Sequence, residues 1–81
     1  MDRDEVYREM LRIFRENGYN DFIIVIKTPG NGDFFRYIPF HDIVFSGRDR
    51  IILRLSNGKR ESFRYKDIVK IESIESLGEG D

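Results

Sequence analysis

The chain contains no cysteine, tryptophan, glutamine or alanine, and it has one histidine and two prolines. Without cysteine it can form neither a disulfide nor a thiolate metal site, so packing alone must stabilise this small scaffold. The single histidine, His41, has no neighbours at the spacing of a nucleophile–histidine pair or of a metal site. We therefore predict no catalytic residue, no metal ligand and no cofactor, and an enzyme is the less favoured class.

Long apolar runs are also absent. No segment reaches the roughly 18 apolar residues that a membrane span needs, and the charged start MDRDEVYRE has no apolar signal-peptide core. We expect a cytoplasmic protein without membrane association, folded as one domain over residues 1–81. Many charges with few thermolabile side chains resemble the usage of heat-adapted proteins.

Charged residues are distributed unevenly along the chain. Residues 1–26 carry four basic and six acidic groups, residues 27–70 carry ten basic and five acidic groups, and residues 71–81 carry four acidic groups and no basic one. This pattern is typical of a mixed, soluble surface. It also fits a sheet that faces a polyanion while acidic elements cover its other sides.

The first segment has the features of an amphipathic helix, which we predict over residues 3–17. Asp2 and Glu5 have the spacing of a capping box, and Gly18 suits a left-handed C-terminal stop. Apolar residues that recur at helical spacing are predicted to face the core. They are Val6, Met10, Ile13 and Phe14, with Tyr7 and Leu11 beside them.

Short β-branched and aromatic runs follow, and turn residues separate them. The predicted strands cover residues 21–27, 34–38, 42–46, 50–55, 60–65 and 69–74, and a frayed tail is expected at 77–81. The unbroken apolar run of the first strand predicts burial on both faces, and Pro39 is expected to end the second or to force it to an edge. One helix before five or six strands indicates an α+β domain, in which the helix packs on a mainly antiparallel, strongly bent sheet or small barrel.

Residues 50–65 form a predicted hairpin whose register decides which face carries the charges. A two-residue loop would place the apolar set on the same side as the arginines. A three-residue loop at 56–58, with Gly58 in a left-handed bulge, instead places Ile51 opposite Phe63. In that register two pairs of arginines face each other, Arg50 with Arg64 and Arg54 with Arg60.

Like charges directly opposite each other destabilise a sheet unless acids neutralise them or an anion binds them. The candidate neutralising acids are Asp33, Asp42, Asp49 and Asp67. The candidate nucleic-acid-binding residues, which would contact backbone phosphates, are Arg50, Arg54, Arg60, Arg64 and Lys66. Both interpretations are compatible with the sequence.

Aromatic residues lie on the same predicted strands as these basic residues. Exposed aromatic rings beside arginine can stack on unpaired bases, and Phe35 and Tyr37 are the stacking candidates. In a small domain without tryptophan, most of the rings in these strands are expected to lie in the core.

The stretches IPFHDIV at 38–44 and FRYKDIV at 63–69 align with each other, and Lys66 takes the place of His41. In each, Asp-Ile-Val begins a predicted strand after a corner. The alignment favours an exposed corner position for His41 over a catalytic one, with Asp42 and Asp67 bonding nearby backbone amides.

Several segments together resemble a known family. They are REMLRIFRE, DFIIVIK, a Pro/Gly turn, YIPFHDIV, RIILRLSNGK and FRYKDIVKIE, and their layout over roughly Tyr7 to Ile74 is similar to that of the small, mostly archaeal RNA cyclic group end recognition domain proteins. The family's His-Arg positions are occupied here by Lys27-Thr28 and Lys66-Asp67, so the chain resembles a divergent member that lacks the His-Arg motifs. The resemblance implies RNA binding, and only through it would a phosphoesterase using His41 be considered.

We therefore expect a small non-enzymatic RNA-binding module that contacts phosphates through an arginine-rich sheet face. The alternative is a protein-interaction or assembly domain. It would meet a partner chain, or a second copy of itself, through exposed edge strands or through Phe34 and Phe35.

Overall fold

Helix α1, Arg3–Asn17, opens the fold in the computed structural model, which describes residues 1–18, 21–28 and 34–74. Both predicted caps are confirmed. The backbone N–H of Glu5 donates to the Asp2 carboxylate at 2.8 Å, the Asp2 N–H donates to the Glu5 carboxylate at 3.1 Å, and Gly18 is left-handed with φ 76°. The first of these bonds lowers the pKa of the Asp2 carboxyl. The caps satisfy backbone groups that helix ends leave without partners, so local sequence sets the bounds of α1.

Within the ranges that the structure describes, five strands follow α1 and form one antiparallel sheet. They are β1 (Phe22–Lys27), β2 (Phe35–Ser46), β3 (Arg50–Leu55), β4 (Arg60–Arg64) and β5 (Ile68–Ser73), and a 3₁₀ turn at Tyr65–Asp67 precedes β5. The strand order is β4-β3-β2-β1-β5, and the sheet is not closed into a barrel. The predicted α+β architecture of a helix on an antiparallel sheet is confirmed, with five strands.

Pro39 lies inside a central strand, so the expectation that it would end a strand or mark an edge is wrong. The predicted strands 34–38 and 42–46 are one strand, β2, which runs through Pro39 and pairs with β1 and β3. The Pro39 carbonyl accepts a bond from the N–H of Ser56, just beyond the end of β3, at 3.1 Å. The missing N–H of proline faces that same side, because an antiparallel residue directs both backbone groups to one neighbour. The ladder to β1 therefore loses no bond.

The core lies between α1 and one face of the sheet, which we call the inner face. Val6 and Ile13 of α1 pack there with side chains from all five strands. Strand β1 is buried on both faces, as its sequence predicts. Ile23 and Val25 point to the opposite face, here called the outer face, and yet each is only 1% exposed. Their cross-strand neighbours on β2 and β5 cover them, and among these are Tyr37 and Lys70.

Part of the apolar stripe of α1 does not enter the core. Phe14, predicted to be buried, is 44% exposed, and Tyr7 and Leu11 beside it are exposed as well. They border an apolar groove of about 280 Å³ between α1 and β2, whose other walls include Phe22 and Ile43. The helical period places these residues on one stripe, of which Val6 and Ile13 are buried while Tyr7, Leu11 and Phe14 stay exposed at its border. The predicted tail at 77–81 lies outside the described residues.

We predict that Phe40→Ala destabilises the protein by about 3–5 kcal/mol. Phe40 is fully buried and stacks on Phe22, with ring centroids 5.2 Å apart, so its removal leaves a cavity in the core. Phe45 on the same strand is 55% exposed and is the matched control, for which we expect a loss of about 1 kcal/mol or less. Urea unfolding followed by circular dichroism measures both, and equal losses would contradict this description of the core.

Candidate nucleic-acid interface

The β3–β4 hairpin has the register predicted from its sequence. Gly58 is left-handed with φ 87°, and the N–H of Leu55 donates to the Lys59 carbonyl at 2.8 Å, which closes a three-residue loop. Ile51 lies opposite Phe63, and both are buried on the inner face. The opposed pairs on the outer face are Arg50 with Arg64 and Arg54 with Arg60. The structure thus brings the four predicted arginines together on one exposed surface, which we call the arginine face.

One of these arginines has an acidic partner. The Nε atom of Arg54 lies 3.2 Å from Oδ1 of Asp42, its cross-strand neighbour on β2, and both side chains are about half exposed. Within the described ranges, Arg50, Arg60 and Arg64 form no ion pair. Of the candidate neutralising acids, Asp42 fulfils that role for a single arginine, and Asp33 lies outside the described residues. Acidic neutralisation is therefore partial, and the face stays basic.

The acid of β4 points away from the arginine face. Glu61 lies opposite Leu53 and therefore projects to the inner side, where its carboxylate is 3.3 Å from Nη2 of Arg36 on β2. Alternation along the strand places Glu61 and its neighbours Arg60 and Ser62 on opposite faces. Alternation thus keeps this acid off the arginine face, and Arg36 pairs with it on the inner side.

The arginine face continues into a cleft of about 520 Å³ at the open end of the hairpin. The turn between β2 and β3 borders it on one side, and the 3₁₀ turn borders it on the other, because the Tyr65 N–H donates to the Asp49 carbonyl at 3.1 Å. The lining residues are Arg48, Asp49, Arg50, Arg64, Tyr65 and Lys66. Lys66 was predicted as a site residue and Arg48 was not. The sequence places Arg48 in a turn, and only the contact between the two turns reveals that it joins the site.

Exposed aromatic rings lie on the same outer face. Both stacking candidates are exposed on β2, Phe35 opposite Lys27 and Tyr37 opposite Val25. Phe45, which sequence analysis did not select, is 55% exposed and lies opposite Ile52, between the two arginines of β3. The two register irregularities of β2, between Phe40 and Asp42 and between Ile43 and Phe45, offset each other, so Phe45 lies on the same face as Phe35 and Tyr37. The expectation that most of these rings lie in the core holds for Phe40, Phe63 and Tyr65 and is wrong for Phe34, Phe35 and Tyr37.

His41 does not occupy a corner where a strand begins. It lies within β2 at the irregularity after Phe40, and its Nδ1 atom is 3.1 Å from Oδ1 of Asp21. The side chain is exposed, as predicted, while its counterpart Lys66 does lie in a turn. Asp42 pairs with Arg54, so its carboxylate has a different role from the local backbone bond expected of it.

No group of three or more histidine or acidic side chains capable of holding a metal occurs in residues 1–18, 21–28 and 34–74. In the same ranges, no helix is long and apolar enough to cross a membrane.

Comparisons with known proteins give no relative. No protein-family model matches the chain, and neither a curated protein nor a solved structure is significantly similar to it. The resemblance to the RNA cyclic group end recognition domain therefore stays a prediction from the quoted motifs.

Tyr65, which lines the cleft, has a hydroxyl group buried without a hydrogen-bond partner in the part of the chain that the structure describes. Its side chain is 6% exposed. Burial raises the pKa of the Tyr65 phenol, the nearby Tyr7 phenol acts in the same direction, and Arg3 acts against them. The folded state therefore favours the neutral phenol more strongly than the unfolded chain does.

We predict that Tyr65→Phe leaves the stability unchanged or raises it by about 1 kcal/mol, because it removes a buried polar group without a partner. The phenol pKa is raised in the folded state, so the wild type keeps its full stability below the ordinary value of 10.0 and loses part of it as the pH rises through the folded value. The variant lacks that loss. Urea unfolding at neutral pH and above pH 10.0 measures both effects. A large loss of stability in the variant at neutral pH would show that the hydroxyl has a partner.

Proposed function

We propose that the protein is a small, non-enzymatic module that binds single-stranded RNA across the outer face of its sheet. The observation that carries this proposal is the arginine face, where four arginines share one exposed surface and where, among the described residues, an ion pair engages Arg54 alone of the four. Opposed like charges cost stability in the free protein. A phosphate backbone would remove that cost by supplying the missing anions.

The aromatic rings on the same face support a single-stranded partner. A duplex hides the faces of its bases, whereas an unpaired strand can place bases on exposed rings such as those of Phe45 and Tyr37. The combination of basic and aromatic side chains on an open sheet is common to proteins that bind single strands. The family resemblance implies the same class of ligand.

We predict that the double variant Arg54→Glu/Arg60→Glu weakens RNA binding and reduces its salt dependence. Each phosphate contact to a single strand contributes about 0.7 to the slope of log affinity against log salt, so losing two contacts lowers the slope by about 1.4. The matched control is Arg8→Glu/Arg15→Glu, which makes the same change in net charge on α1, far from the arginine face. Fluorescence anisotropy of a labelled RNA of about 12 nucleotides measures both at several salt concentrations.

Equal losses in the two double variants would mean that net charge alone governs binding. Unchanged affinity and slope in Arg54→Glu/Arg60→Glu would remove the arginine face from the proposal.

We predict that Phe45→Ala and Tyr37→Ala each weaken RNA binding by about 1–3 kcal/mol with little change in the salt slope, because stacking is not an ionic contact. Phe14→Ala is the matched control, since Phe14 is an exposed phenylalanine on α1. The same anisotropy titration measures affinity, and circular dichroism verifies folding. Affinity that is insensitive to both rings would limit the interaction to phosphates.

The apolar groove along α1 favours a second candidate function, protein interaction. Tyr7, Leu11 and Phe14 are exposed there beside Phe22, and Phe34 is exposed ahead of β2. Light scattering after size-exclusion chromatography separates the candidates. A dimer that Leu11→Glu or Phe35→Glu converts to monomers supports assembly, whereas a monomer that binds RNA at low salt supports the first proposal.

A further inference from the structure

The cleft at the open end of the hairpin has a different charge balance from the rest of the arginine face. Four cationic side chains border it, and Asp49 is the single acid among its lining residues. In the described residues none of the four cations forms an ion pair. Arg48 also borders a neighbouring surface hollow with Asp2, Arg3 and Asp4, and it forms no ion pair with either acid.

The size of this charge excess distinguishes between possible anions. Four positive charges against one negative charge leave an excess of three. A backbone phosphodiester carries one negative charge, and a singly esterified phosphate group carries about 1.5 to 2 at neutral pH. The total negative charge of two linked phosphates is closer to this positive excess than the single charge of one phosphodiester is.

We propose that this cleft binds a diphosphate group, supplied either by inorganic pyrophosphate or by a nucleoside diphosphate. Arg48 and Arg64 offer planar guanidinium groups suited to paired bonds with phosphate oxygens, and Lys66 adds a point charge from the 3₁₀ turn. The turn positions are fixed by backbone bonds, since the Gly47 N–H donates to the Arg50 carbonyl at 2.8 Å and the Tyr65 N–H donates to that of Asp49. The backbone positions of the two turns that carry Arg48 and Lys66 are therefore set before a ligand arrives.

The cleft shares Arg50, Arg64 and Lys66 with the surface proposed for RNA. A diphosphate in the cleft would therefore compete with the RNA backbone and reduce its binding. This competition rests on the proposed RNA function, whereas diphosphate binding by itself does not. Arg48 borders the cleft but is not one of the four residues of the arginine face, and Arg54 and Arg60 do not border the cleft, so the two sites can be altered separately.

Isothermal titration calorimetry of the full chain with pyrophosphate, adenosine diphosphate and orthophosphate tests the proposal. We expect pyrophosphate to bind the wild type, and Arg48→Glu to lower its affinity by about tenfold or more, as the loss of a charged hydrogen bond predicts. Arg8→Glu makes the same charge change on α1 and is expected to leave the affinity within about twofold, as for a site without contact. Arg48 is exposed in a turn, and circular dichroism verifies that each variant folds.

The possible outcomes distinguish a failure of the diphosphate proposal from a failure of the RNA-binding proposal. No pyrophosphate binding, equal binding of orthophosphate, or an unchanged affinity in Arg48→Glu overturns the diphosphate site. Tighter binding of adenosine diphosphate than of pyrophosphate assigns the site to a nucleotide, and equal affinity assigns it to the diphosphate group alone. Pyrophosphate binding without any RNA binding leaves the cleft in place and refutes the RNA proposal. RNA binding that pyrophosphate does not displace overturns the shared use of the three residues.

Discussion

The register of the β3–β4 hairpin is the constraint on which the rest of this molecule depends. Because side chains alternate along a strand, a slip of one residue between β3 and β4 would place Ile51 and Leu55 on the same side of the sheet as Arg60 and Arg64. Gly58 prevents that slip, since its left-handed conformation fits the three-residue loop and no other residue type adopts it as readily. One glycine thus links the packing of the inner face to the charge of the outer face.

The two faces of the sheet also differ in the acidic side chains that they carry beside the hairpin. Asp42 faces outward and pairs with Arg54, while Glu61 faces inward and pairs with Arg36. Exposed pairs of this kind add little stability. Their main effect is on the potential of the outer face, which is moderated at one end of the hairpin and stays strongly positive at the other, next to the turn that carries Arg48.

Local signals account for what the sequence predicts well, and tertiary contacts account for what it does not. The helix caps and the hairpin register follow from residues only a few positions apart, and they are observed as predicted. Pro39 fits in a central strand because its carbonyl pairs with Ser56, just beyond the end of β3. The residues around Pro39 do not predict that contact. The exposure of Phe14 depends on which part of the α1 stripe meets the sheet, and the place of Arg48 beside the cleft depends on the contact between two turns.

Because strand β2 is long and continuous, it also determines how far apart its exposed aromatic rings lie. Its twelve residues carry Tyr37 at one part of the outer face and Phe45 at another, with eight residue steps between them. At about 3.3 Å per residue, a fully extended strand separates the two rings by up to about 26 Å, and the bulges shorten that span. The strand therefore sets the spacing between the two rings. Under the proposed function, an RNA too short to cover this distance would contact one ring at a time, whereas a longer one would contact both at once.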